Sequence, residues 1–238
     1  MSESENLIVA TQAIPETDDI HGLPALNYSL KSTNLICFLG QRFNISNIYM
    51  QMLAGLSSPQ SGEVEYFNCE KSTQIAKHFP AIAYLSHDSA LLSVLNGLEN
   101  VKLPALYHQL GTKQQIEKQA QALLDELSYG ANHKVLPDFM TVVQKRHLLI
   151  ARAIILEPKL LFIENPFAGL EFAETRMIED YLYSLVDQKN ITVIASNPNL
   201  GFVENYADKI ILQSSSGFHF FNDWDRFYFH KQRNKLRF

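Results

Sequence analysis

Histidine and cysteine are the first residue types to check for chemistry, and neither is spaced for it. The eight histidines and two cysteines show no zinc-ligand spacing, and no Ser-His-Asp arrangement marks a nucleophile. His87 stands beside Asp88; a histidine next to an aspartate is a candidate proton relay, though such a couple more often forms a surface pair. Glu164 closes the apolar run Leu160-Leu161-Phe162-Ile163, and its neighbour Asn165 carries an amide, which cannot accept a proton as a general base. The apolar run Leu35-Ile36-Cys37-Phe38-Leu39 ends in Gly40, and no lysine occurs between Lys31 and Lys71. Arg42 is the only cation near that glycine.

These residues need elements to position them, and the hydrophobic pattern supplies candidates. Leu35 to Leu39, Ala81 to Leu85, Leu160 to Ile163 and Ile191 to Ala195 are short, nearly continuous apolar runs. Strands of a parallel sheet covered on both faces have that character. Asp208 to Leu212 is a fifth candidate strand. Between the runs the period changes to that of helices. Ile116, Ala120, Leu123, Leu124 and Leu127 share one face of a helix expected to end near Gly130, and Ile178, Tyr181, Leu182 and Leu185 share another. The alternation predicts a parallel α/β sheet. Residues from about Asn96 to Lys145 are helical without strands, as expected of a helical subdomain inserted into that core.

Composition sets the outer bounds. With 238 residues, 46% of them hydrophobic and 19% charged, the chain can bury a real core, and it is neither disordered, collagen-like nor a disulfide scaffold. A net charge of -5 and a pI near 5.9 give no sign of a nucleic-acid partner. Cys37 and Cys69 fit a reducing compartment. No run approaches the ~18 apolar residues of a membrane span, and the opening MSESENLIV lacks the basic-then-apolar pattern of a signal peptide. The last segment, 218–238, is distinct. It crowds Phe218, Phe220, Phe221, Trp224, Phe227, Tyr228 and Phe229, and then carries Lys231, Arg233, Lys235 and Arg237 with no acid. The favoured expectation is a final strand or helix docked on the core with a solvated basic end. The alternative is a tail for a partner or an anionic membrane surface.

Four stretches then carry a resemblance. LICFLGQRFNISNIYMQMLAGLSSPQSGEV, from Leu35 to Val64, resembles the strand, phosphate loop and first helix of an ABC-transporter ATPase. LENVKLPALY, from Leu98 to Tyr107, is similar to the start of that family's helical subdomain. LLIARAIILEPKLLFIENPFAGLE, from Leu148 to Glu171, resembles its signature helix and second acidic strand, and Ile191 to Gly217 resembles its switch strand. Four motifs in the expected order, covering about residues 26 to 217, imply the family's fold: a P-loop NTPase-like α/β core with a parallel sheet, plus a helical subdomain at about 88–145. Residues 1–217 read as one such domain. Within the family the wording is closest to subunits serving lipid and lipoprotein trafficking.

The chemical positions depart from the pattern. A phosphate loop needs glycines, a lysine for the outer phosphates and a Ser/Thr hydroxyl for Mg²⁺. Here it reads Gly40-Gln41-Arg42-Phe43-Asn44-Ile45-Ser46-Asn47. Only the first glycine remains, Phe43 and Ile45 stand where the family has glycine, Ser46 replaces the lysine and Asn47 the hydroxyl. Losing two charge-assisted hydrogen bonds removes about 3–6 kcal/mol, enough to turn a micromolar site roughly submillimolar or worse. Residues 1–27 contain no Phe, Tyr or Trp to stack adenine, and His21 is the only ring there. Glu164 keeps a carboxylate, with a longer reach toward Mg²⁺, whereas Asn165 replaces the catalytic glutamate, Asn197 the switch histidine and His87 the glutamine that senses the γ-phosphate. The signature reads Met140-Thr141-Val142-Val143-Gln144. Thr141 and Gln144 are retained in type, but two valines stand where backbone must approach phosphate.

The expectation is a degenerate ABC nucleotide-binding subunit, a pseudo-ATPase with no catalytic residues and no cofactor. It would be peripheral on the cytoplasmic face of the inner membrane, partnered by a membrane permease subunit or another ABC ATPase subunit. One alternative is an unconventional ATPase that binds ATP and Mg²⁺ through Arg42, Glu164 and His87. Another is a free-standing adaptor or regulator.

Overall fold

The computed structural model describes residues 6–17, 22–31, 34–40, 44–67, 70–71, 80–127, 133–214 and 217–236. Two sheets form. The larger has six strands in the order β10-β9-β3-β8-β7-β6: β3 (Leu35–Gly40), β6 (Ile82–Leu85), β7 (Leu160–Glu164), β8 (Thr192–Ser196), β9 (Lys209–Ser214) and β10 (Gly217–Phe221). From β6 to β9 every pairing is parallel, and all five strands expected from the apolar runs lie in this sheet. In β3, Leu35, Cys37 and Leu39 enter one core cluster while Ile36 and Phe38 enter the other. Both faces of the sheet are therefore covered, which is why the runs do not alternate.

The smaller sheet, β2-β1-β4-β5, is antiparallel: β1 (Asn6–Pro15), β2 (Leu26–Lys31), β4 (Pro59–Tyr66) and β5 (Glu70–Lys71). Helix α1 (Ile45–Leu53) packs against both sheets, burying Tyr49, Met50, Met52 and Leu53. On the opposite face lie α2 (Gly97–Tyr107), α3 (Lys113–Glu126) and α4 (Val142–Ile154), packed on one another. Each begins with a capping box, Asn96/Glu99, Thr112/Gln115 and Thr141/Gln144, which satisfies backbone donors that the first turn would leave orphaned. The buried Asn100 side chain also holds Leu92 and Leu95, tying the segment before α2 to the helix. Ile116, Ala120, Leu123, Leu124 and Leu127 are buried as the periodicity requires. Helix α3 stops at Glu126, and Gly130 lies outside the described residues. Helix α5 (Phe172–Lys189) buries Ile178, Tyr181, Leu182 and Leu185, and α6 (Leu200–Tyr206) follows β8.

The aromatic C-terminal segment is partly woven into this frame. β10 pairs antiparallel with β9, placing Phe218 opposite Gln213 and Phe221 opposite Ile210. Helix α7 (Trp224–Arg233), capped by Asp223, buries Phe227 completely. Phe229, at 67% exposure, and Arg233 face solvent. Arg237 lies outside the described residues, as does Cys69, while Cys37 is buried in β3.

Candidate functional site

Parallel strands bring their carboxyl ends to one edge, and in open α/β sheets that edge is where ligands bind. Here β8 lies between β3 and β7, so Gly40, Asn197 and Glu164 arrive at neighbouring strand ends. Gln41, Arg42 and Phe43 lie outside the described residues. The chain then turns at Asn44, with φ 70°, and enters α1 at Ile45. The left-handed residue is thus an asparagine, a type that tolerates it, and not Ile45. Asn165 and Asn197 do the same work at the ends of β7 and β8, with φ 43° and 46°. Their backbone N–H groups donate to Ser196 O at 3.2 Å and Phe38 O at 3.1 Å, respectively.

The side chains at these positions are bonded to one another. Ser46, fully buried, donates through Oγ to Asn197 Oδ1 at 3.1 Å. Asn47, also buried, accepts at Oδ1 from Ser196 Oγ. Asn197 Nδ2 is buried without a partner among the described residues.

Glu164, 1% exposed, is more heavily engaged. Its Oε1 accepts from Tyr84 Oη and from Gln51 Nε2, the latter at 3.2 Å. Its Oε2 accepts from the His87 backbone N–H at 3.1 Å and lies 2.9 Å from His87 Nδ1. The other ring nitrogen of His87 lies 3.2 Å from Asp88. Burial alone would push the Glu164 carboxyl up. The hydrogen bonds from Tyr84, His87 and Gln51 outweigh burial and hold it below the usual carboxylate range. The Tyr84 phenol is pushed up, by burial first and then by the carboxylate it bonds.

The structure thus brings together Ser46, Asn47, Asn197, Glu164 and His87, as the strand order requires. It also recruits Gln51, Tyr84 and Ser196, which the sequence reading missed. Gln51 lies one helical turn after Asn47 on α1, so the helical period could have placed it. Tyr84 lies on β6 beside β7, opposite Phe162, and nothing in its type signals a role at Glu164.

The profile of the ABC transporter family matches residues 48–168, just over half of the chain. The chain belongs to the ABC transporter family. Similar curated proteins include the lipoprotein-releasing system ATP-binding protein LolD of Treponema denticola, 25% identical over 194 residues that cover 78% of this chain and 84% of that protein. The uncharacterized ABC transporter ATP-binding protein YknY of Bacillus subtilis is 25% identical over 227 residues, 91% of this chain and 97% of that one. Among solved structures, CbiO1 of Clostridium perfringens, part of the cbiONQ transporter complex, shares the fold with a TM-score of 0.81 at 19% identity, covering 98% of this chain and 94% of its own. The dimeric ATP-binding cassette MJ0796, in a post-hydrolysis state with ADP and Pi, aligns with a TM-score of 0.76 at 19% identity over 87% of this chain and 94% of its own.

An ABC ATPase domain implies Mg·ATP, and the described residues at this edge do not fit it. Ser46 and Asn47, expected at the lysine and hydroxyl positions of a phosphate loop, are each buried and bonded at the end of β8. Glu164, the carboxylate expected to face a metal, has donors on both oxygens, so it can meet a cation only by breaking this set. Among the described residues no group of three or more His, Cys, Asp and Glu side chains is arranged to hold a metal. In the stretch that resembles the family's signature, Thr141 is the N-cap of α4. Its Oγ1 accepts from Gln144 N at 3.3 Å, and Gln144 Oε1 accepts from Thr141 N at 2.9 Å. The two retained polar side chains are thus occupied in capping the helix. Val142, beside them, is 52% exposed.

Proposed function

We propose that this chain is a pseudo-ATPase: an ABC nucleotide-binding subunit that works as a structural or regulatory part without binding or hydrolysing ATP. The observation that supports the reading is the hydrogen-bond set at the strand ends, in which Ser46 donates to Asn197, Asn47 accepts from Ser196 and both oxygens of Glu164 accept from protein groups. An unconventional ATPase using Arg42, Glu164 and His87 would first have to release Glu164 from its donors. Calorimetry of the purified chain with Mg·ATP at millimolar nucleotide separates the two. No saturable heat is expected, and saturable binding near micromolar affinity would overturn the reading.

The subunit would sit at the cytoplasmic face of a membrane, bound to a permease subunit or paired with another ABC ATPase subunit. No helix among the described residues is long and apolar enough to cross a membrane, so attachment would come through such a partner. Lipid or lipoprotein traffic is the substrate field suggested by relatives named for lipoprotein release. A groove of about 560 Å³ between β6, α2 and α4, lined by Leu56, Ile82, Leu103, Tyr107 and Leu149, offers the permease an apolar seat on the helical side of the domain. Tyr107 is 78% exposed there, so Tyr107→Asp should leave the fold intact. It should weaken co-purification with the permease about tenfold.

A further inference from the structure

The apolar groove between β6, α2 and α4 contains a cation with nothing to answer it. Leu149, Arg152, Ala153 and Leu156 recur at helical spacing along α4 and just past its end, and all four line the groove. Among the described residues lining it, Arg152 is the one lysine or arginine, and none is an aspartate or glutamate. Arg152 is half-buried, and burial pulls its pKa down, although a guanidinium stays charged. Other basic side chains are matched: Lys102 with Glu117 at 3.0 Å, Arg176 with Glu179 at 3.3 Å and Lys189 with Glu126 at 3.0 Å. Arg152 has no ion-pair or hydrogen-bond partner for its side chain among the described residues. The carbonyl end of α4 accounts for a basic residue in this turn, but it leaves the guanidinium donors without acceptors.

Size and charge indicate the occupant. At about 560 Å³ the groove falls within the roughly 300–1,000 Å³ of small-molecule sites, which combine an apolar lining with a few polar groups. One guanidinium forks one carboxylate bidentately, whereas a phosphate brings a second charge that no other lysine or arginine here would match. Leu56, Leu103 and Tyr107 remain exposed in the groove, and an alkyl chain laid over them removes apolar surface from water. We propose that the groove binds a free medium-chain fatty-acid anion, its carboxylate on Arg152 and its chain along the apolar wall, in competition with the permease. The competition rests on the permease seat proposed above; the binding itself needs only the groove and its cation.

The test is calorimetry of the full chain titrated with sodium dodecanoate below its micelle concentration. One saturable site is expected, and Arg152→Gln should weaken it at least about tenfold. Arg152→Lys, which keeps the charge without the fork, should recover part of the loss. Leu103→Asp should abolish binding with an unaltered circular dichroism spectrum, and dodecyltrimethylammonium, with the same tail and the opposite charge, should not bind. Dodecanoate should also lower co-purification of the permease, as Tyr107→Asp does. Heat that does not saturate, a site indifferent to Arg152→Gln, or co-purification unchanged by dodecanoate overturns the proposal. If dodecanoate fails to bind while Tyr107→Asp still weakens co-purification, the fatty-acid site falls and the permease seat stands. If Tyr107→Asp has no effect either, the seat falls with it; titration with Mg·ATP judges the pseudo-ATPase reading separately.

Discussion

Glu164→Ala should lower the stability of this protein by about 3 kcal/mol. The carboxylate is buried and gathers donors from three elements: Gln51 on α1, Tyr84 on β6, and both the ring and the backbone of His87. Removing it leaves the Tyr84 hydroxyl and the Gln51 amide without an acceptor in a poorly solvated place, and unmade buried hydrogen bonds cost more than made ones contribute. In a working ATPase the same substitution acts chiefly on turnover, because a carboxylate held ready for a ligand is not chosen for stability. Chemical denaturation of wild type and variant therefore tests whether the site has become part of the scaffold, and a loss under about 0.5 kcal/mol would contradict the closed arrangement. The acid limb gives a second reading of the same group. The Glu164 carboxyl is held below its ordinary value of 4.5, so its contribution is fully present above that unfolded value. It is lost as pH falls through the folded one. The stability gap between wild type and Glu164→Gln should accordingly be widest near neutrality and shrink in acid.

The sheet was legible where burial on both faces leaves no other reading. The runs at Leu35, Ala81, Leu160, Ile191 and Asp208 correspond to five parallel strands, with ends displaced by a residue or two. The antiparallel sheet was not read. Leu26, Tyr28 and Leu30 of β2 alternate strictly with Asn27, Ser29 and Lys31, a two-residue period that was there to be used, but β1 pairs with β4 some fifty residues away, a non-local choice that no short window of sequence carries. At the site, the sequence shows which groups are missing but not what replaces them. Asn165 and Asn197 read as losses of family residues, and Asn44 only as the residue between two lost glycines. The backbone shows a reason for their type, since all three take positive φ, where asparagine is the most tolerant residue after glycine. His87 and Asp88 read as a surface pair, and Asp88 is indeed exposed, but the buried carboxylate on the far side of the ring is 77 residues away in the chain. Only the parallel register of β6 and β7 brings it there.

Phe227→Ala should cost about 3–5 kcal/mol, although it lies in the segment whose composition also suits a partner or membrane tail. Phe227 is 0% exposed. Its ring centroid lies 5.6 Å from that of Phe221 on β10 and 5.4 Å from that of Trp224, so removing it opens a cavity where α7 meets the sheet edge. The neighbouring residues provide the control. Phe229 and Arg233 face solvent on the same helix, and alanine at either should change stability by no more than about 0.5 kcal/mol. The contrast follows from helical geometry. Positions 224 and 227 turn one face to the core, while 229 and 233 turn the other to water. A tail that docked only on a partner would show no such periodicity, and Phe227→Ala would then leave thermal unfolding of the isolated chain unchanged. If instead the loss follows the buried face, β10 and α7 belong to the folded core, and any partner or membrane contact from this segment is limited to the aromatic and basic side chains on its outer side.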